Sequence, residues 1–351
     1  MKIAPLVKAF NKENKFKHII VHTGQHYDKN MSGNFFHELG IPKSSYNLNI
    51  GSGSHAVQTA KIMIGLEDIF RRLAPDMILL VGDVNSTLAA TIVAAKMGIP
   101  VSHIEAGLRS GDLNMPEEIN RLVTDRLSSL LFTHEIEADQ NLINEGVLPK
   151  RIKFVGNIMI DTLLTNVGAA KRLKLRTKLK LNHQSYALIT LHRPSNVDQK
   201  KVLANIIKAF VLIQKKITLV WPIHPRTLAN LKRFGIYEKL NKIPNFKLLT
   251  PLSYLEFLHI MIGAKFVLTD SGGIQEETTA LGIPCLTIRN NTERPITITQ
   301  GTNILVGTST NKIVHAAMEI INGHAKKGHI PKYWDGHTAN RIINCLEKEL
   351  L

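Results

Sequence analysis

A chain of 351 residues, 44% of them hydrophobic, is long enough for two domains of ordinary size, each with its own core. The net charge of +16 is spread over scattered lysines and accompanied by only 6% aromatics. It reads first as a basic solvated surface, then as an attraction for a phosphorylated substrate, and it argues against nucleic acid. No apolar run reaches the roughly 18 residues of a membrane span, and the start lacks the apolar region of a signal peptide. Cys285 and Cys345 both lie in apolar segments, so a cytoplasmic chain with reduced thiols is expected, with no CxxC or HExxH spacing to hold a metal.

Residues 2–12 pattern as a helix, and the first strand-like run is 18–22, leading into TGQHYD at 23–28. This order is unusual. A doubly wound domain normally opens with its central strand and the ligand loop after it, whereas here the chain starts in the helix that should follow such a strand. A helix over 56–73 precedes the stretch around which the first half is organised, residues 77–126. That stretch opens with an apolar strand over 77–81 ending at Gly82-Asp83. A helix of small and apolar residues follows, stopped by Gly98-Ile99-Pro100. A second strand over 101–106 delivers His103 and Glu105 on one face by strand alternation. A loop with Arg109 leads to a helix opened by Pro116, where Pro leaves no extra donor unmet. Its predicted apolar stripe is Ile119, Leu122, Val123, Leu127 and Leu130, with Glu117, Arg121, Thr124 and Ser128 on the opposite face. Asp83, Glu105 and Glu117 are thereby expected on one rim of a parallel sheet, where such sheets bind ligands. Strands at 130–133 and 152–155 and helices at 135–144 and from 158 complete the first set.

Residues 166–185 are basic without a strong period and mark the expected crossover between domains. A second alternating set follows. Strand 187–190 ends in HRPSNVD at 192–198, strand 217–221 ends in His224-Pro225-Arg226, and strand 246–249 leads to helix 254–262. Strand 266–269 ends in Asp270-Ser271-Gly272-Gly273 before a helix closed by Gly282-Ile283-Pro284. Both halves thus contain strand, acidic turn, helix, Gly-Ile-Pro, strand. The fold class expected is α/β, with two Rossmann-like domains facing across a cleft: 1–165, 166–335, and a last helix within 336–351 crossing back to the first domain.

Some of these stretches suit chemistry. Ser271-Gly272-Gly273 at a helix start, with free N–H groups and room for close approach, suits a phosphate, although glycine-rich strand–helix turns are common. Glu276 and Glu277 in that first turn either complement the helix dipole or reach a ribose diol. His192-Arg193 and Gln25-His26 follow strands and suit phosphate contacts, against the commoner structural use of lone histidines. Asp83, Glu105 and Glu117 beside Arg109 and Arg121 form either a structural ion-pair cluster or a proton-transfer group, which needs acids and bases of differently tuned pKa. No GxSxG, Walker or GxGxxG pattern is present.

In order and spacing, TGQHYD, VGDVNST at 81–87, HIEAGLRSGD at 103–112, MPEEINR at 115–121, VGNIMID at 155–161, HRPSNVD, IHPR at 223–226, TDSGGIQEE at 269–277 and NTERPIT at 291–297 closely resemble the non-hydrolysing UDP-N-acetylglucosamine 2-epimerases. The resemblance spans nearly the whole chain. It implies the two-domain glycosyltransferase-B fold, a UDP-sugar substrate, a homodimer, no organic cofactor and no metal. The implied reaction interconverts UDP-GlcNAc and UDP-ManNAc by UDP elimination and re-addition through 2-acetamidoglucal, for surface polysaccharide precursors. By matching motifs it implies catalytic roles for Asp83, Glu105, Glu117 and His192. Substrate contacts are implied for Lys2, Arg109, Arg121, His224, Phe257, Ser271, Gly272, Gly273, Glu277 and Arg294. Among these, Ser271 and Gly272 match phosphate contacts, Glu277 a ribose contact and Phe257 a wall of the uracil pocket.

Two departures accompany the resemblance. Family members carry a strand and a Gly-Thr-Arg-Pro-Glu loop ahead of the segment matching residues 1–7. Without them a chain is expected to be poorly stable and weakly active, since neighbouring strands lose their partner and the substrate an arginine. Gln25 matches the first of two glutamines in an allosteric site of some bacterial members; the second position is Asp28 here. The competing expectations are a hydrolysing relative releasing ManNAc and UDP, a binding-only UDP-sugar protein, and a glycosyltransferase of the same fold, against which the three carboxylates argue.

Overall fold

Apolar runs bounded by Gly, Pro and acidic turns produce the strands, and the amphipathic stretches between them the helices. The structure is a computed structural model that describes residues 1–13, 15–24, 39–181 and 185–350. In chain order the first elements are α1 (Ile3–Glu13), β1 (Val21–His22), β2 (Tyr46–Asn47), α2 (His55–Leu73), β3 (Ile78–Val81) and α3 (Asn85–Lys96). Then follow β4 (Val101–Ile104), α4 (Pro116–Leu127), β5 (Leu130–Thr133), α5 (Ile136–Asn144), β6 (Ile152–Phe154) and α6 (Ile158–Lys171). The second series is β7 (Tyr186–Thr190), α7 (Lys200–Ile213), β8 (Thr218–Pro222), α8 (Pro225–Arg233), β9 (Phe246–Leu249) and α9 (Tyr254–Ile262). It continues through β10 (Phe266–Thr269), α10 (Gly272–Leu281), β11 (Cys285–Thr287), β12 (Asn303–Leu305), α11 (Thr310–Ile321) and α12 (Thr338–Leu350).

Packing divides the chain into two units, one of residues 1–162 with 332–351, the other of residues 163–331. The basic stretch that begins at 166 is largely helical, running on in α6 to Lys171 and then a turn at Leu175–Lys178.

In the first unit β3-β4-β5-β6 form a parallel sheet, and β1-β2 a separate parallel ribbon. Leu6 and Phe10 of α1 pack with Ile104, Phe132 and with Ile342 and Ile343 of α12 on one face. Ile62 and Phe70 of α2 pack with Ala89 and Val93 of α3 on the other, where the ribbon's Val21 and Tyr46 join Ile78 and Leu80. Among the described residues β3 pairs only with β4. Its residues are half-buried, where those of β4 and β5 are fully buried.

The predicted faces of α4 are reversed. Its buried residues are Glu118, Asn120, Arg121, Thr124 and Asp125, while Ile119 and Leu127 are 47% and 43% exposed, and Leu130 belongs to β5. A polar face is buried here because Glu118, Asn120, Arg121 and Asp125 meet loop backbone or an opposite charge, and Thr124 the hydroxyl of Thr91 on α3.

In the second unit all six strands are parallel, in the order β12-β11-β10-β7-β8-β9. The chain builds outward from β7 to β9, then returns to β7's other side with β10. The winding therefore reverses between β7 and β10, and a doubly wound sheet takes its ligand beyond the strand ends at that reversal.

Candidate active site

In the first unit, the turn after β3 and the end of β4 bring charged groups together. Gly82 has φ 79°, a left-handed conformation that glycine adopts without strain. A Cβ there would lie 3.2 Å from Lys2 Nζ and 3.7 Å from Glu105 Oε2, so the turn closes tightly over both. Lys2 pairs with Glu105. Glu105 itself has φ 75°, rare for a residue with a side chain and held only where the surroundings impose it. Strand alternation thus ends at Ile104, and Glu105 is placed by a strained turn rather than by the pleat. Both Glu105 N–H and Ala106 N–H donate to the Phe132 carbonyl, which fixes that turn to β5.

Asp83 is 31% exposed, and its carboxylate lies 3.8 Å from Arg121 Nη1. Asn120 Nδ2 donates to the Asp83 carbonyl at 2.8 Å. Arg121 is fully buried, pairs with Glu118 at 3.3 Å, and leaves Nη1 without a hydrogen bond among the described residues. Such a buried guanidinium arm beside a carboxylate suits an anionic group of a ligand. Glu118 accepts from the N–H groups of Ser110 and Gly111 and so anchors the loop after β4. Glu117 sits half-buried in the first turn of α4. Arg109 is committed within the unit: it reaches Glu145 and Asp125 at 2.7 and 2.8 Å.

In the second unit the groups gather at the reversal. After β7, the backbone N–H groups of His192 and Arg193 donate to Asp270, and His192 Nδ1 lies 3.0 Å from its Oδ1. Burial alone would raise the Asp270 carboxyl, but His192 and these N–H groups hold it below the usual carboxylate range. The bond to Nδ1 leaves His192 Nε2 for a ligand. His224 caps α8, its ring 5.6 Å from that of His192, and burial, reinforced by His192, lowers its pKa.

Ser271 caps α10, but its side chain makes no capping bond, and Gly272 and Gly273 open the helix. A Cβ on Gly272 would come within 2.8 Å of Glu293 Oε1. Glu293 is held by Arg289 at 2.8 Å; burial would raise it, yet Arg294 and Arg289 bring it down to about 2. The free N–H groups and dipole of α10 favour an anion at this point. Glu276 is buried against Arg294 at 3.0 Å. Glu277 is buried with Tyr254 O–H donating to Oε1 at 3.0 Å, and its Oε2 has no hydrogen bond among the described residues. Burial, with Glu276 adding like charge, pushes the Glu277 carboxyl up to about 7. Phe257 lies half-buried on α9.

The predicted residues therefore fall into two groups. Lys2, Asp83, Glu105, Glu117 and Arg121 gather in the first unit; His192, His224, Ser271, Gly272, Gly273, Glu277 and Arg294 gather about the reversal in the second. Gln25, with its neighbour His26, lies outside the described residues. Sequence reasoning passed over Asp125, Glu118, Tyr254, Asp270 and Glu293. The four acids read as ordinary helix or turn residues until the N–H groups or cations they serve are seen, and Tyr254 until its bond to Glu277 is.

A parallel doubly wound sheet with a glycine-opened helix at its reversal, in one chain with a second α/β unit carrying charged turns, defines the class of two-unit α/β enzymes. Comparison with known proteins narrows the class. Residues 8–347 match the family model described as UDP-N-acetylglucosamine 2-epimerase, and the chain belongs to that family; it is an epimerase. It is 42% identical to the UDP-N-acetylglucosamine 2-epimerase of Methanocaldococcus jannaschii, over 99% of this chain and 95% of that one. A crystal structure of the Methanocaldococcus jannaschii UDP-GlcNAc 2-epimerase in complex with UDP-GlcNAc and UDP matches with a TM-score of 0.89 and 43% identity, covering 99% and 96% of the two chains. The UDP-2,3-diacetamido-2,3-dideoxy-D-glucuronate 2-epimerase of Pseudomonas aeruginosa is 38% identical, over 99% of this chain and 96% of that one. The expected α/β fold of glycosyltransferase-B type is the one observed.

Proposed function

We propose that the protein interconverts UDP-GlcNAc and UDP-ManNAc without net hydrolysis. The observation that carries the reading is the pairing of Lys2 with Glu105 and of Arg121 with Asp83 at the strand ends of one unit, with Glu117 in the first turn of the helix that carries Arg121, in one chain with a second unit whose sheet reverses at a glycine-opened helix. Inverting C2 requires a base on one face of the sugar and an acid on the other. One of these carboxylates takes the C2 proton, the C1–O bond breaks, and UDP leaves with the bonding pair, giving 2-acetamidoglucal. UDP then re-adds at C1 while a second acid protonates C2 from the opposite face. Atoms and charge balance with no redox step.

In this reading Ser271, Gly272 and Gly273 take the diphosphate at the α10 N-terminus, and His192, oriented by Asp270, meets the same phosphates. His224 and Arg294 support that phosphate site, Glu277 Oε2 meets the ribose diol, and Phe257 walls the uracil. Arg121 Nη1 faces the sugar side. Arg109, held by Asp125 and Glu145, is assigned to shaping the loop. The chain acts as a homodimer, supported by the apolar side chains exposed on α2 and α4. Two unbridged cysteines suit the cytoplasm.

The Pseudomonas aeruginosa relative supports a second reading, in which the sugar is a diacetamido uronic acid. Proton NMR of the purified protein with each UDP-sugar separates the two. UDP-ManNAc from UDP-GlcNAc is expected; free ManNAc would mean a hydrolysing enzyme, and turnover of the uronate alone would move the substrate. Glu117→Gln keeps shape but removes the ionisable group, and turnover is expected to fall by roughly a hundredfold or more with UDP affinity unchanged. Turnover at the parent rate would remove Glu117 from proton transfer.

A further inference from the structure

His103 is fully buried on β4. Its Nδ1 lies 2.6 Å from Asp125 Oδ1 and its Nε2 lies 2.9 Å from the Gly82 carbonyl oxygen. A carbonyl only accepts, so Nε2 carries a proton. The short Nδ1–Oδ1 contact needs a proton between the two atoms, and Asp125 Oδ2 accepts from the Gly107 N–H at 3.0 Å and from the Arg109 guanidinium at 2.8 Å, which favours the ionised carboxylate and so places that proton on Nδ1. Nδ1 therefore also carries a proton. With both nitrogens donating, the ring is an imidazolium.

We propose that His103 and Asp125 are a permanently charged pair of positioning residues that fixes the two turns bearing Asp83 and Glu105. The pair holds the Gly82 carbonyl, one residue before Asp83, and the Gly107 N–H, two residues after Glu105, so both turns hang on one buried hinge point. The charged groups packed around it are two carboxylates that favour the imidazolium, Asp125 and Glu105, and the cations paired with them. Asp125 comes from α4, Arg109 from the loop after β4, Glu145 from the end of α5 through Arg109, and Glu105 from the end of β4, itself joined to Lys2 ahead of α1. Burial would lower the His103 pKa, but the charge and hydrogen bond of Asp125, the Gly82 carbonyl and the charge of Glu105 raise it overall. A fixed cation at this place also favours the ionised form of Glu105.

The inference rests on the proposed role of the carboxylates, so one arm of its test is independent of turnover. Nitrogen-15 NMR of histidine-labelled parent protein, with His103→Gln identifying the signal, is expected to show both ring nitrogens protonated at neutral pH, where an unperturbed imidazole with a pKa of about 6.5 is mostly neutral. A neutral single-tautomer signature at neutral pH overturns the proposal, whatever the enzyme's substrate. Should His103→Gln fail to fold, Asp125→Asn identifies the signal by its displacement. The second arm is kinetic. Both variants are expected to lose at least tenfold in kcat with KM within about twofold, since the sugar is held but its reacting faces are misaligned. The acid limb of the His103→Gln rate profile is expected to move to higher pH, because Glu105 loses a nearby cation. A profile superimposable on the parent's would show a merely structural pair and overturn the proposal. No turnover in the parent would instead defeat the epimerase reading and leave the NMR arm to decide this one.

Discussion

Glu277 shows how one buried side chain couples folding to pH. Its carboxyl is pushed up to about 7, first by burial and then by Glu276, against an ordinary value of 4.5. The folded state then holds a proton that the unfolded chain releases. The stabilisation is complete below about pH 4.5 and is lost as pH rises through about 7, a loss on the order of 3 kcal/mol. In the unliganded protein the melting temperature is expected to fall across that window, and Glu277→Gln, which cannot ionise, to flatten the fall. Scanning fluorimetry of both proteins against pH measures this, and parallel curves would place the pH dependence elsewhere. The Tyr254 hydroxyl belongs to the same arrangement: burial, then the charge of Glu277, raises its pKa so that it stays a donor throughout.

At the scale of elements, β3 is the informative strand. It pairs with β4 alone among the described residues, and its side chains are half-buried. Among the described residues its outward amides have no strand partner, so hydrogen exchange over Ile78–Val81 is expected to run at least tenfold faster than over Leu130–Thr133 of β5. Equal protection would mean that the outer edge of β3 is covered in solution. Most elements were legible because apolar runs ended at Gly-Asp, Gly-Ile-Pro or Asp-Ser-Gly-Gly turns, whose backbone demands are local. The helix α4 was legible in extent but not in orientation. Periodicity assigns Ile119 and Leu127 inward, yet the helix buries Glu118, Arg121 and Asp125, because their partners are loop amides and charges far along the chain. The strand expected over 18–22 shrinks to Val21–His22 for a related reason: its ladder depends on Tyr46 and Asn47, which no local pattern announces. Of the site, the carboxylates and the glycine-rich turn could be read in the chain. Asp125, which holds His103, and Asp270, which holds His192, were hidden because they lie 22 and 78 residues from the histidines they pair with.

On the whole molecule, Ile64 of α2 is 71% exposed, with Val57 and Ile119 47% exposed. The homodimer proposed above would cover such side chains, and a lysine at this position would leave a charge buried without a partner. Sedimentation velocity is expected to show a dimer for the parent and a monomer for Ile64→Lys with its melting curve otherwise cooperative. A dimer that survives the substitution would move the interface to another face.

The path of the chain has a consequence for how the protein is made. The first unit is interrupted by the whole second unit and completed only by residues 332–351. Asp161 accepts from the N–H groups of Thr338 and Ala339, so the start of α12 is anchored beside the point where the chain left the first unit. Until α12 arrives, Leu6 and Phe10 lack the cover of Ile342, Ile343 and Leu346, each worth about 2 kcal/mol of burial. On the ribosome the second unit, contiguous in sequence, is therefore finished first, although it is begun second. The nascent first unit waits with an open apolar flank while about half the chain is translated. A polypeptide released before residue 342 would carry a complete second unit and an unfinished first one.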